Sequence, residues 1–512
     1  MIATLERNIL SRRRFLVGAS SLAVAAGAAR QGLVGTALAQ EQRREARQPS
    51  DAAWRALAEK LSGPLLRASS YDLRKIARSF NLRYAGDLPD GVALARSAKD
   101  VATAITWCRE NAFPLIVQSG GHSYAGFSMR RGGLMINLRL MRGSRLANGV
   151  VTVGGGMLNQ DLYALLEQNS LAITHGRCPT VGAAGFLLGG GIGFNMRSNG
   201  VACDQLRESE IVTADGQVRT LKPSGDDLAK ELYWACRGGG GGNFGVNTSF
   251  SLQTFPAEPV TVFDLTWTAA TRNSDKVAAK LVAALEGAPI ELGIGTRMSL
   301  GAPSPRDRTA GANVSISLIG QAKRADGKRL EALLADAYAE EKPQQAMIWS
   351  GAPYWSAQKL LEDDDGPTWF QERSTFARKG QALAALDHVF GHLRTWPGTN
   401  GGADLRFFQT GGAMNRTPAD ATAFVHRDSE WIMDVGLAWD GSDSWDTVTR
   451  ARLWQDRFYD ALRAFTVGAY QNFIDPSLAD WRTAYYGTNL ARLEAIKKKV
   501  DPDRVFDFPQ AI

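Results

Sequence analysis

From about residue 80 the chain alternates short apolar runs with glycine turns. Residues 114–119 (PLIVQS), 133–138 (GLMINL) and 149–156 (GVVTVGGG) are rich in aliphatic and β-branched side chains and bounded by turn residues, which predicts strands. Residues 159–169 (NQDLYALLEQN) place Leu162, Leu165 and Leu166 on one helical face, and residues 210–221 read as a hairpin turning at Asp215 and Gly216. Together these predict an α+β nucleotide-binding domain over 80–255. The polar, alanine-rich stretch 40–79 ahead of it predicts a helix and linker. Beyond 256 the glycine density falls. Strand-like runs at 262–269 and 314–322 alternate with amphipathic helices at 275–287 and 447–465, which predicts a second domain over 256–465 built on an antiparallel sheet backed by helices. Residues 466–512 are again turn-rich and are expected to pack back on the first domain. No internal repeat of fixed period is present.

Charge adds little to this picture once its position is considered. The net +7 of the 512 residues would ordinarily raise nucleic acid or an anionic surface as a partner. Residues 1–47, however, hold eight arginines against three glutamates and carry five of those seven charges. With the rest of the chain close to neutral, nucleic acid is not an expected partner. The N-terminus reads SRRRFLVGASSLAVAAGAARQGLVGTALAQ. The pair Arg12 and Arg13 precedes Phe15 and Leu16, a small-residue apolar segment follows, and Ala37-Leu38-Ala39 offers a cleavage site. This predicts a twin-arginine signal peptide over 1–39, cleavage near Ala39, a passage through the twin-arginine export machinery, and a mature protein outside the cytoplasm. No later segment approaches the ~20 apolar residues of a membrane span, so stable membrane insertion is not expected. Twin-arginine export carries folded, cofactor-loaded proteins, so the four cysteines need not be disulfides despite the oxidising destination.

Candidate chemistry sits in three glycine-rich segments of the first domain: SGGHSYAG at 119–126, GRCPTVGAAGFLLGGGIG at 176–193 and RGGGGGNFG at 237–245. Glycine at this density is expected where backbone must approach another group closely, and successive N–H groups in such turns suit phosphates. None of the three fits a dinucleotide fingerprint or a P-loop. His122, one of only five histidines, and Cys178 each stand on a glycine-flanked loop. That placement suits a nitrogen and a thiolate that must reach a bound group. A metal is not expected, because neither has a second ligand at metal spacing.

These segments, followed by NGVACDQL, TAFVHRDSEWIMDVGLAW and the run from AYQNFIDP to the last residue, resemble the berberine-bridge-enzyme-like group of the vanillyl-alcohol-oxidase flavoproteins, with their PCMH-type FAD-binding fold. The resemblance covers most of the chain and keeps the family's motif order. It implies FAD held by two covalent links, His122 to the 8α methyl and Cys178 to ring carbon 6. It also implies cofactor contacts from Ser119, Gly120, Gly121 and Ser123 around the histidine, and from Gly176, Thr180, Val181 and Gly182 around the cysteine. Further contacts would come from Gly185, Gly189, Gly190 and Gly193 in the helix and turn that follow, and from Val212, Asn243, Gly245 and Asn472.

The same resemblance points to an oxidase in which a substrate alcohol loses a proton to a protein base and a hydride to the flavin. Tyr470, at the head of YQNFIDP, is the candidate base, and its phenol would need a nearby acceptor or cation to act near neutral pH. Asp434 is singled out by the residues themselves, as the one carboxylate in the apolar run WIMDVGLAW, where it must be paired or functional. Gln409, on the preceding strand, is a further pocket candidate. Plant-type relatives carry a histidine and a tyrosine where this chain has Phe186 and Ile192, which argues against phenylpropenyl substrates. Val181, three residues past Cys178, favours oxygen as the electron acceptor. A sugar, oligosaccharide or secondary-metabolite alcohol, oxidised with release of H2O2, is the expectation. Transfer to a non-oxygen acceptor, or flavin binding without turnover, are the alternatives.

Overall fold

The computed structural model describes residues 48–363 and 366–512, so the signal peptide expected over 1–39 lies outside the described residues. A four-stranded sheet opens the fold, built from β1 (Leu65–Arg67), β2 (Gly91–Leu94), β3 (Leu115–Gln118) and β4 (Leu134–Asn137) in the order β1-β2-β4-β3. β2 and β3 run parallel to β4, while β1 is an antiparallel edge. A parallel strand is buried on both faces, so it reads as an unbroken apolar run. β2 and β4 are buried at every residue. Helices Asp51–Lys60 and Ala98–Glu110 close one face through Trp54, Leu57, Val101 and Ile105. Within the helix and linker expected over 40–79, helix Asp51–Lys60 covers the first sheet and β1 adds an antiparallel edge strand to it.

The second sheet comprises β5 (Ser144–Ala147), β6 (Val150–Gly154) and, after the two-residue β7 (Leu171–Ala172), β8 (Leu206–Val212), β9 (Val218–Leu221) and β10 (Val246–Gln253). Its order is β5-β6-β10-β8-β9, antiparallel throughout. The β8–β9 hairpin turns at Asp215 and Gly216, where Gly216 takes φ +79° and Asp215 accepts from the Thr213 hydroxyl at 2.6 Å. A short β11 (Phe255–Pro256) pairs with β7.

The remaining strands form one seven-stranded antiparallel sheet: β12 (Val260–Trp267), β13 (Gly295–Gly301), β14 (Ser315–Ala322), β15 (Gln345–Ala352), β16 (Trp369–Ala377), β17 (Ala403–Gln409) and β18 (Trp431–Trp439). The order is β15-β12-β14-β13-β17-β18-β16. Side chains alternate between its two faces. Met298, Leu300, Leu405, Phe407, Met433 and Val435 pack under helices Ser274–Gly287, Gln381–Leu393 and Trp445–Arg463. The opposite face, carrying Arg297, Arg406, Phe408, Ile432 and Asp434, turns toward the flavin-type half of the fold. The architecture is α+β, with an antiparallel substrate-type sheet backed by helices.

The C-terminal segment returns to the first half. Helix Leu490–Val500 lies against helix Asp227–Ala235. The buried Lys497 ammonium donates to the carbonyls of Asn243 (2.7 Å) and Phe506 (2.8 Å) and pairs with Asp501 at 2.7 Å. Phe506 in turn fills the core beneath the first sheet. Across the middle, Arg427 grips Asp204 with two bonds of 2.7 and 2.8 Å. Among the described residues no helix is long and apolar enough to cross a membrane.

Candidate functional site

The loop that follows β3 is fixed before it reaches His122. At the end of the strand, the buried Gln118 amide donates to the carbonyls of Arg78 (3.0 Å) and Ser128 (3.2 Å) and accepts from Asn137 at 3.0 Å. Next, the Ser119 hydroxyl donates to the Gly155 carbonyl at 2.7 Å. Gly120 then meets Gly182 backbone to backbone: a Cβ on Gly120 would stand 2.3 Å from the Gly182 nitrogen, and one on Gly182 would stand 2.3 Å from the Ser119 hydroxyl. Only glycine at both positions allows the two loops to touch. Gly121 and Ser123 complete the turn, with the Ser123 hydroxyl accepting from the Phe127 N–H at 3.0 Å.

The contact brings the two predicted attachment residues together. His122 Nε2 lies 2.9 Å from the Thr180 hydroxyl, and Cys178 Sγ lies 3.5 Å from the same oxygen. The imidazole is half-buried and stacked on Phe80 at 4.1 Å, and burial pushes its pKa down to about 4. It is therefore neutral near pH 7, with a nitrogen lone pair available. The cysteine loop is held by its carbonyls: Tyr163 donates to Gly176 at 2.9 Å, Asn159 to Cys178 at 3.0 Å, and the Asn159 N–H to Val181 at 3.0 Å. Cys178 is partly exposed, whereas Cys108, Cys203 and Cys236 are buried free thiols. Burial pushes the latter two up to about 12, so they are chemically quiet.

The sheet face opposite this corner carries a dense charge cluster. Neighbouring strands place Arg406 beside Asp434, and Asp404 and Glu372 on either side of Gly436. Arg406 donates to Asp404 at 2.8 Å and to Glu372 at 2.9 Å, and stands 3.9 Å from Asp434. Asp434 is wholly buried, and its pKa is driven well above the usual carboxylate range by burial and then by the Glu372 charge. Arg297 on β13 ties the cluster to the cysteine loop through Asp363, which also pairs with Arg177. The Tyr124 phenol, two residues past His122, faces the same charges: burial first, then Glu372 and Asp434, hold its pKa well above 10. Its ring stacks on Phe473 at 5.2 Å, which meets Phe408 at 5.5 Å.

Not every expected residue joins this face. Gln409 lies on the opposite side of β17, where its amide donates to the Leu285 carbonyl at 2.8 Å and accepts from Thr296 at 3.2 Å. The pocket position expected for it is corrected: strand alternation gives that face to Phe408. Tyr470 is walled in by Ile192, Cys203, Phe376 and Phe424. Its phenol oxygen accepts from the Gly191 N–H at 3.0 Å and from Asn472 at 3.1 Å. Burial outweighs these donors and raises its pKa. Asn472 lies flat on Gly189, where a Cβ would fall 2.0 Å from its amide oxygen, and also donates to the Phe186 carbonyl. Gly190 packs on Phe424 and Gly193 on the His175 backbone. Asn243 is engaged within the protein, donating to Gly239 at 2.9 Å and accepting from the Ile512 N–H at 3.0 Å. Val212 sits in the core, with the Gly245 α-carbon close against its carbonyl.

Tyr124, Glu372, Arg406 and Arg297 escape a reading of motifs alone. Tyr124 lies within SGGHSYAG with nothing in the sequence to mark it, and the other three are ordinary charges in strands until a fold pairs them. The donor set suits a flavin edge: a neutral imidazole nitrogen and an accessible thiol meet at one point, and beside them a Cβ on Gly185 would find open space. His122, Cys178 and Thr180 would hold that edge, facing the Tyr124 side of the sheet.

Comparisons with known proteins point to FAD as the bound group. Residues 89–222 match the FAD binding domain model, and residues 469–512 match the model described as berberine and berberine like. An FAD-linked oxidoreductase of Bacillus subtilis, YgaK, is 27% identical over 480 residues, covering 88% of this chain and 97% of the relative. Glucooligosaccharide oxidase of Sarocladium strictum is 29% identical over 463 residues, covering 84% of this chain and 88% of the relative. Among solved structures, BBE-like 1 of Physcomitrella patens superposes with a TM-score of 0.78 at 25% identity, covering 90% of this chain and 98% of that one. Matched in its FAD-binding segment and in its C-terminal segment, the chain is similar along its length to berberine-bridge-enzyme-like FAD-linked oxidoreductases.

Proposed function

We propose that the chain is an exported oxidase of carbohydrate or related alcohols, with FAD bonded to both His122 and Cys178 and oxygen as the electron acceptor. The observation that carries this reading is the meeting of imidazole and thiol on the Thr180 hydroxyl, at 2.9 and 3.5 Å. Bound there, FAD supplies the hydride acceptor. The chain supplies the rest. His122 presents a neutral nitrogen, Thr180 fixes that ring, and the Asn159 and Tyr163 bonds set the direction of the thiol.

A substrate would lie between this corner and the charged sheet face. Tyr124, Phe473 and Phe408 offer stacked rings for a sugar, and the neighbouring carboxylates and guanidinium groups suit hydroxyl groups. The likeness to glucooligosaccharide oxidase supports an oligosaccharide as substrate class. Val181, beside the cysteine, supports peroxide as the second product. The twin-arginine sequence supports export after the cofactor is loaded.

The test is an oxygen-uptake screen of mono- and oligosaccharides and secondary alcohols on purified protein, with the spectrum of the acid-denatured protein recorded. Oxygen uptake matched by H2O2, and flavin colour that stays with the precipitated chain, are expected. Flavin bleaching by a sugar without oxygen uptake would replace the oxidase by a dehydrogenase, and a colourless precipitate would overturn the covalent attachment.

A further inference from the structure

The charged sheet face holds a partner for Asp434 that no motif singles out. Glu372 on β16 and Asp434 on β18 are diagonal neighbours across one strand pair, Glu372 standing opposite Gly436 and Asp434 two residues before it. Both carboxylates are buried, and among the described residues three of their four oxygens have no hydrogen-bond donor: Asp434 Oδ1 and Oδ2 and Glu372 Oε2. Only Glu372 Oε1 is served, by Arg406 at 2.9 Å, and the same guanidinium gives its Nε to Asp404. Two donor-poor carboxylates side by side out of water cannot both stay ionised.

The surrounding charges lead to the same count. From β17 come Arg406 and Asp404, from β13 Arg297, and behind it the Arg177–Asp363 pair; the Tyr124 phenol faces the cluster from the His122 loop. Three guanidinium groups therefore oppose four carboxylates, and a single proton brings the set to neutrality.

We propose that Glu372 and Asp434 work as one carboxyl pair that shares a single proton and, through the Tyr124 phenol, takes up the proton released by the substrate hydroxyl. This rests on the reading of the site as an alcohol oxidase. The O–H bond of the substrate breaks, its proton passes to the Tyr124 oxygen as the phenol proton moves to the free carboxylate, and the pair ends doubly protonated. FAD, when bound, would supply the oxidant for the C–H electron pair, so charge and electrons balance. Tyr124 touches the substrate, while Glu372 and Asp434 are positioning residues that act through it. The phenol never has to exist as a free phenolate, which its raised pKa would oppose.

Infrared difference spectroscopy of the holoenzyme tests the pair without any substrate. A protonated carboxylic acid carbonyl band is expected at pH 7, absent in Asp434→Asn. In Glu372→Gln, which removes the neighbouring negative charge, the band should remain but titrate away at a lower pH than in the parent. With a turned-over alcohol, stopped-flow flavin bleaching in Glu372→Gln should slow ~100-fold, the low end for a lost proton acceptor, with its acid limb moved down in pH. No band at pH 7 in the parent, or a band and a pH profile that Glu372→Gln leaves in place, would overturn the proposal. If no alcohol is oxidised, the band still decides the pair, and the functional reading fails separately.

Discussion

His122 Nε2 and the hydroxyl of Thr180 lie 2.9 Å apart, in loops brought together by Gly120 and Gly182, and Cys178 reaches the same oxygen from the other side at 3.5 Å. The arrangement makes the two proposed attachment residues distant in sequence and adjacent in space. His122→Ala and Cys178→Ala should therefore each keep flavin bound to the denatured chain through the remaining link, and the double variant should release it. In-gel flavin fluorescence after denaturation checks this; release of all flavin from either single variant would rule out two anchors.

Gly120→Ala is expected to act on both stability and loading. Its new Cβ would fall 2.3 Å from backbone, which cannot yield as a side chain would. A loss of about 1–3 kcal/mol is expected from such overpacking, measured as the shift in chemical denaturation midpoint. The covalent flavin fraction should fall with it, because the loops carrying His122 and Cys178 separate.

Gln409→Ala separates structure from catalysis. Its amide bonds tie β17 to helix Ser274–Gly287 and to Thr296, on the side away from Tyr124. A cost of about 1–3 kcal/mol follows from the unmet buried partners, while kcat/KM at permissive temperature should stay within twofold of the parent. A hundredfold kinetic defect in a stably folded Gln409→Ala protein would return this residue to the pocket.

Acid should destabilise the protein through two core histidines. Burial depresses His175 to about 4 and His426 to about 3, each packed against aromatic rings. The unfolded chain binds a proton at each near pH 6.5, and the folded chain does not until those lower values, so between them the unfolded state holds more protons. Stability is full above about pH 6.5 and declines as pH falls toward 4. Thermal melts across this range check the slope, which should flatten in a His175→Asn, His426→Leu variant; an unchanged slope would place the acid sensitivity elsewhere.

The sequence made the local chemistry visible and left the long-range pairing hidden. Glycine clusters advertise close backbone approach, so the His122 and Cys178 loops stood out, and a carboxylate inside an apolar strand stood out at Asp434. Glu372 and Arg406 did not, because a charge in a strand of mixed polarity has meaning only once β16, β17 and β18 are set in register. Gln409 failed by one residue of strand parity. The motif around Tyr470 does not show that its phenol also serves the glycine turn, where it accepts from the Gly191 N–H. The helix ahead of residue 80 is legible in the sequence, whereas edge strand β1 is three residues long, too short to show a pattern.

The clasp of Lys497 on the carbonyls of Asn243 and Phe506 has a practical consequence for engineering. A cut after residue 255 follows the linear division of the chain, yet it strips the first sheet of Phe506 from its core and leaves Asn243 facing solvent. The flavin-binding half is not a cassette. Any chimera that moves it to another scaffold has to carry residues 469–512 with it.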